Sequence, residues 1–474
     1  MQLLFIIFYL SVCFAQKSVE YANTCVVQNT YVVYDDFNPT GDIEILDVTK
    51  NRYWYRQASV DEQQHDHNHH TIPKHANQTH IVIGHELNFP PMHARYPAHS
   101  EAKKQHEFVG TLLVIYSPWT MNLAETFNNV ATALYRNKEV YKNYTIAMYT
   151  PESLPLEPFN IWMIKPFANK PPKSLSELSA LNLKDNCFER VIVSNFDAGG
   201  YNLFYETGNY IKQKLFPQLG APQGGLRPLH PGAPPAQAQA TEGCAEGAPF
   251  CKTFPGAKDL RSKSVAEEKS LVILENRPNS AMRQFFGVAE FLSECNKFYK
   301  CIEHTFGNIQ KDIEIMDSAD VLVCFHGAGE TNSVFMRRHS SIIEIGGKDI
   351  AKLWWRNFWW PMIALQTNFD FFYWSLTIKD AHLNHNSELE DLGLQTDPTM
   401  NARDRSVTLV FNLVHPILKT IESVGRTREK YAAIHGEKGY NISYIAENGV
   451  LTKDIPIWCS DTCGKIASPE CRPC

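Results

Sequence analysis

From Thr111 onward the chain alternates short apolar runs with amphipathic stretches. Thr111–Tyr116 is continuously apolar after its first residue and predicts a covered strand. Over 121–135 the residues Leu123, Phe127, Val130, Ala131 and Leu134 recur at helical spacing. Tyr144–Tyr149, Asn160–Ile164 and Phe188–Val193 read as further strands. A second block repeats the style. Ser270–Leu274 predicts a strand, Met282–Ser293 a helix, Ile309–Ser318 a helix, and Val321–Phe325 and Ile342–Ile345 two more strands. Arg405–Val424 reads as a closing strand or helix. Strands alternating with helices imply an α/β fold with largely parallel, covered sheets.

Outside these blocks the pattern loosens. Residues 17–60 mix short β-like runs, Val26–Val27 and Tyr31–Tyr34, with polar turns. Residues 217–257 are rich in Pro, Gly, Ala and Gln without an apolar period, which marks a linker or long loop. Ten of the 18 histidines fall in 61–106, including His65, His67, His69 and His70. Their spacing suits neither a helix face nor a familiar metal cage, so a solvated insertion is the expectation. The organisation is therefore a first Rossmann-like unit over 16–216 carrying that insertion, the linker at 217–257, a second unit over 258–430 and a tail over 431–474.

Residues 1–15 resemble a signal peptide, with an uncharged apolar stretch and small residues Cys13 and Ala15 before the cleavage point. They fall short of the roughly 20 residues a spanning helix needs, and no other segment is long and apolar enough to cross a bilayer. Sequons at Asn77, Asn143 and Asn441 fit the same compartment. Removing Cys13 leaves eleven of the 12 cysteines. Cys324, inside an apolar strand, is the expected free thiol, and the other ten suit five disulfides. The tail pattern Cys459, Cys463, Cys471 and Cys474 imitates a zinc site, but an oxidising compartment favours disulfides. The expected location is the lumen of the endoplasmic reticulum or Golgi, or outside the cell. A net charge of −6 and a pI near 6.3 argue against coating nucleic acid.

The densest chemistry lies at Asp320–Met336, where a strand meets the turn His326-Gly327-Ala328-Gly329 and the predicted first turn of a helix. Backbone N–H groups and a helix N-terminus there suit a phosphate. Glu344, at the end of the following strand, suits ribose hydroxyls. A bare strand-to-helix turn has the same outline, because Asn332 stands where a dinucleotide fingerprint wants a third glycine. An esterase oxyanion loop is excluded, since the chain has no G-x-S-x-G elbow.

The block from Met316 through His326-Gly-Ala-Gly-Glu-Thr-Asn332 to Met336, followed by Ile342-Ile-Glu344-Ile, resembles glycosyltransferase family 61. That family includes EGF-domain O-GlcNAc transferases, O-mannose-directed β-1,4-GlcNAc transferases and plant β-1,2-xylosyltransferases. Arg277 to Arg283 and the turn Asp197 to Glu206 resemble two further family elements. Three positions depart from the pattern: Glu330 replaces an apolar residue, Tyr205 a histidine, and Gly346-Gly347 a proline-containing segment. The resemblance implies a GT-B fold, with two Rossmann-like domains facing a cleft and the sugar nucleotide held mainly by the C-terminal one. It implies inverting transfer of GlcNAc or xylose from UDP-GlcNAc or UDP-xylose to a glycoprotein or glycan hydroxyl. Arg277, Arg283, His326, Gly327, Ala328, Gly329, Thr331, Asn332 and Glu344 are then the expected donor-binding residues. His326, Asp197 and Glu206 are the candidates for the base. Asp35-Asp36 lies far from these elements in the sequence, so no cofactor and a metal-independent reaction are expected. The aromatic stretches Leu353–Trp360 and Phe371–Trp374 read as core or as a stacking platform. The alternative function is a secreted, non-catalytic binder of glycans or nucleotides.

Overall fold

The computed structural model describes residues 18–27, 30–33, 43–44, 53–55, 58–59, 80–81, 85–87, 93–95, 106–116, 122–149, 156–180, 186–195, 201–217, 269–278, 280, 282–350, 363–364, 367–393, 398–435 and 442–453. The leader, nearly all of the His-rich insertion, the linker beyond 217, Leu353–Trp360 and the cysteine tail lie outside them, as do Asn77, Asp197 and Asn441.

Two main sheets organise the molecule. The first contains β1 (Ser18–Val27), β2 (Thr30–Val33), β3 (Ile43–Glu44), β4 (His93–Arg95), β5 (Thr111–Tyr116), β6 (Thr145–Met148), β7 (Lys173–Ser174) and β8 (Cys187–Asn195), in the order β7-β6-β5-β8-β1-β2-β4-β3. The four strands from β7 to β8 are parallel, and β1 then pairs antiparallel along nearly all of β8, from Ser18 opposite Ser194 to Cys25 opposite Cys187. A disulfide joins those last two cysteines across 162 residues of sequence. Of the expected β-like runs, 26–27 and the described part of the second, 31–33, are thus parts of a hairpin.

Side chains alternate across this sheet with period two. Leu112, Val114 and Tyr116 join one buried cluster with Val191 and Val193, whereas Leu113 and Ile115 join the other. That second cluster runs without a break into the other half of the molecule.

The second sheet contains β9 (Leu271–Glu275), β10 (Lys300–His304), β11 (Val321–Phe325), β12 (Ser340–Gly346), β13 (Phe371–Ile378), β14 (Ser443–Glu447) and β15 (Val450–Lys453), in the order β10-β9-β11-β12-β13-β14-β15. All its pairs are parallel except the last. Its central strands are buried on both faces, which explains their unbroken apolar sequences. Phe371, Phe372, Tyr373 and Trp374 are therefore core residues.

Three expectations are corrected. Asn160–Ile164 is no strand but the end of helix Pro158–Ile164, with Pro158 in the first turn. A short apolar run does not distinguish strand from buried helix, and here Asn160, Met163 and Ile164 turn inward at helical spacing. The helix expected from 282 begins at Val288 and runs to Phe298, because Phe285–Phe286 pairs as a short strand and Gly287 takes a left-handed backbone. After the histidine–glycine turn stands a 3-10 helix, Ala328–Phe335, and not an α-helix. Arg405–Val424 divides into the strand Ser406–Thr408 and the helix Phe411–Val424. Cys324 is the buried free cysteine expected, and Cys295–Cys301 is a second disulfide.

Candidate active site

Each sheet has one place where successive strands diverge to opposite sides. In the second sheet β9 is flanked by β10 on one side and β11 on the other. In the first, β5 is flanked by β6 and β8. Such switch points open a crevice at the carboxyl ends of the strands, where α/β proteins bind ligands. The loops after β9 and β11 carry Arg277, Arg283 and the turn 326–329.

Asn276 shapes the first of these loops. Its Oδ1 accepts from the backbone N–H of Arg277 at 2.9 Å and of Phe285 at 3.2 Å, and its Nδ2 donates to Glu303 at 2.7 Å. Both guanidiniums are thereby set over the turn after β11. A Cβ on Gly327 would stand 2.9 Å from Nη1 of Arg283 and 3.5 Å from Nη2 of Arg277. Only a residue without a side chain leaves room for both.

The two arginines differ electrically. Arg277 donates to Glu275 through Nε at 3.0 Å and Nη2 at 2.8 Å, and the Glu275 charge raises its pKa. Arg283 has its pKa lowered to about 10, first by burial and next by the neighbouring Arg277 charge, against the pull of Asp404 at 3.7 Å. Two cations held this close stand ready for a multivalent anion. Glu275 is itself buried, and only its Oε1 is hydrogen-bonded. Its carboxylate lies against Gly329, where an added Cβ would stand 2.6 Å from Cδ.

Beneath the turn sits a second polar group. His326 Nδ1 lies 3.0 Å from Oε1 of Glu344, and the other oxygen, Oε2, accepts from Tyr373 Oη at 2.6 Å. Glu344 is fully buried in the middle of β12, opposite Cys324 and Ser375, rather than at a strand end. Glu330 is equally buried and holds an oxygen within 4.8 Å of both His326 and Glu344. These three groups could supply ligands to a cation, although Glu344 already has hydrogen-bond partners on both oxygens. Burial, and next the Glu330 charge, push the Cys324 thiol well up, so this cysteine is inert.

Other expected residues fall elsewhere. Asn332 turns inward and donates to the Gly329 carbonyl at 2.9 Å, closing the turn in place of a third glycine. Thr331 is buried. Glu206 lies on helix 204–215 beside Tyr205, which packs edge-on against Phe371 and under Arg338. That is the amino-terminal edge of the second sheet, away from Arg277 and His326. Asn143 is exposed, as a glycan acceptor must be.

No local sequence pattern signals the polar group at the other switch point. After β5 come α1 (Leu123–Glu125), a π-helical turn (Thr126–Ala131) and α2 (Thr132–Arg136). Asn122 caps α1, accepting from the N–H groups of Ala124 at 2.9 Å and Glu125 at 3.3 Å. Asn129 donates to Glu125 at 3.1 Å, and Asn128 donates to Asn129 at 3.1 Å. Both α1 and helix 204–215 pack on the 3-10 helix that follows the glycine turn. The approach is close enough that a Cβ on Gly208 would stand 2.7 Å from Cβ of Val334.

The whole is an α/β protein in which two arginines converge on a glycine turn at a strand switch point. The family model described as Glycosyltransferase 61 matches residues 106–343, half of the chain. The chain belongs to that family and is a glycosyltransferase. The matched segment contains Glu125, Arg277, Arg283 and the turn at 326–329, and ends one residue before Glu344. No curated protein matches the chain.

Proposed function

We propose that the protein is an inverting transferase that moves GlcNAc or xylose from a UDP-sugar to a glycoprotein or glycan hydroxyl. The observation that carries this reading is the convergence of Arg277 and Arg283 on Gly327. Two guanidiniums pair the oxygens of a diphosphate bidentately and stabilise the charge it gains on leaving. The N-terminus of the 3-10 helix adds to this. His326, steadied by Glu344, donates to a phosphate oxygen. Glu344 thus acts through the imidazole and orients it.

The domain reading is a GT-B pair, 16–216 and 258–430, each with its switch point toward the other. The packing of α1 and helix 204–215 on the 3-10 helix supports it. No metal is needed where two arginines take the diphosphate charge. The disulfides Cys25–Cys187 and Cys295–Cys301 support work in the secretory lumen or outside the cell.

Thermal shift of the chain against UDP, other nucleotides, UDP-GlcNAc and UDP-xylose, with and without EDTA, tests the reading. Selective stabilisation by UDP and one donor, unchanged by EDTA and absent in Arg277→Ala, is expected. Indifference to every nucleotide at millimolar concentration would refute the donor site.

A further inference from the structure

We propose that Glu125 is the general base that takes the proton from the attacking acceptor hydroxyl, an assignment that rests on the transferase reading above. Three independent features support it.

The first is position. Glu125 follows β5 at the switch point of the first sheet and ends the short helix α1, which packs on the 3-10 helix opening at Gly327. On the proposed two-domain reading it stands on the first sheet's wall of the crevice, where an acceptor would approach a donor fixed by its diphosphate. Glu206, by comparison, lies on helix 204–215, where its charge is felt by Asp370 and Tyr135.

The second feature is the π-helical turn Thr126–Ala131, whose first residue follows Glu125. A wide turn inside a helix is frequent at functional sites. The third is the polar chain behind it. Asn128 and Asn129 are both buried, on a stretch that also buries Thr126, Phe127, Val130, Ala131, Thr132, Ala133 and Leu134. Burying two amides is costly unless they are hydrogen-bonded or hold something in place. What they hold is one oxygen of Glu125. Glu125 itself is only half-buried, as a group that must meet a substrate has to be. Its surroundings also suit a base at neutral pH. Burial raises its pKa and the Asn129 amide partly opposes that.

The step balances as follows. The acceptor oxygen bonds to the anomeric carbon while the bond from that carbon to the diphosphate oxygen breaks. Its electron pair leaves with UDP. The hydroxyl proton passes to the Glu125 carboxylate and from there to solvent.

The test offers UDP-GlcNAc or UDP-xylose with water as the acceptor, and reads released UDP for wild type, Glu125→Gln and Glu125→Ala, with and without azide. Azide is already an anion and needs no base. Water-dependent release should fall about 10²–10⁴-fold in both variants, with the acidic limb of the kcat profile lost in Glu125→Gln. Azide should restore release in Glu125→Ala, and UDP affinity should stay unchanged in both. Should neither variant fold, Asn129→Ala carries the test. It keeps the carboxylate but removes the amide that favours ionisation, so the acidic limb should move to higher pH. The assignment is overturned by a Glu125→Gln chain that keeps its rate and its acidic limb, or by an Asn129→Ala limb that does not move. A wild-type chain that binds UDP yet releases none from either donor overturns the transferase reading and this assignment together. An active Glu125→Gln beside an active wild type overturns this assignment alone.

Discussion

At the switch point of the second sheet, Arg277, Arg283, Glu275, His326, Glu330 and Glu344 crowd around one glycine turn. At that of the first sheet, a single described carboxylate, Glu125, is set among asparagines. Both places have the same topology, a strand flanked by its successors on either side. What differs is the charge each is built to manage. On the proposed reading the second holds an anion of several charges, and it keeps cations fixed by buried carboxylates. On the same reading the first accepts one proton, and it keeps a neutral hydrogen-bonding chain and one acid. Similar backbones would then serve binding on one side and proton transfer on the other.

The largest expected effect breaks the charged side. Arg277→Ala should abolish UDP-dependent stabilisation. It should also cost about 3 kcal/mol of stability, because it leaves the Glu275 carboxylate buried without its partner. The double variant Arg277→Ala with Glu275→Gln separates the two. Denaturant unfolding should recover most of the stability, while calorimetry with UDP should still find no binding. Recovery of UDP binding in the double variant would mean that Arg277 only neutralises Glu275.

Gly329→Ala should come next. Its methyl would collide with the Glu275 carboxylate, a buried and paired group with little room to move. Overpacking of this kind costs about 1–3 kcal/mol. UDP affinity should fall as well, because Glu275 steadies Arg277. A chain that tolerates alanine without loss in either assay would show that this carboxylate is free to shift.

The difference between the two sides also governs what the sequence disclosed. Ile309–Ser318 and Val321–Phe325 were legible to the residue, because an amphipathic helix leading into an unbroken apolar strand has one interpretation. The charged side was legible too, since Arg277, Arg283 and the His326 turn are unusual residues in a recognisable order. Asn160–Ile164 was not, because four apolar residues in a row fit a strand or a buried helix equally. Glu125 left no trace for a different reason. A glutamate on a helix normally faces water, and neither the π register nor the burial of Asn128 and Asn129 is written in a local pattern. The contact of Glu275 with Gly329 was hidden because it joins loops 54 residues apart. The antiparallel pairing of β1 with β8 spans still more chain.

Tyr373→Phe sharpens the comparison from within the charged side. It removes the hydroxyl that donates to Glu344 and leaves the ring in place, so about 1–2 kcal/mol should be lost. The released oxygen should draw more on His326, the other partner of this carboxylate. NMR should then show the imidazole signals of His326 displaced relative to wild type. An unchanged imidazole would uncouple His326 from Tyr373 and leave Glu344 a packing residue.

The smallest effect lies on the other side and concerns stability against pH. Burial raises the Glu125 carboxyl pKa above its ordinary value, and the Asn129 amide only partly lowers it. A raised folded pKa means that folding favours the protonated form. That preference is fully present below the unfolded pKa and is lost as pH rises through the folded one. Wild type should therefore be relatively weakened at neutral pH by a charge that glutamine does not carry. Glu125→Gln should match wild type in Tm near pH 4 and exceed it by about 1–3 °C at pH 7.5. None of the arginine-site substitutions should show this sign, because each leaves a buried charge worse paired at neutral pH. Stability gained where activity is lost is the mark of a group kept for chemistry rather than for folding. A gap that is constant with pH, or that favours wild type at neutral pH, would make Glu125 a structural partner of Asn129 and return the search for the base to the crevice.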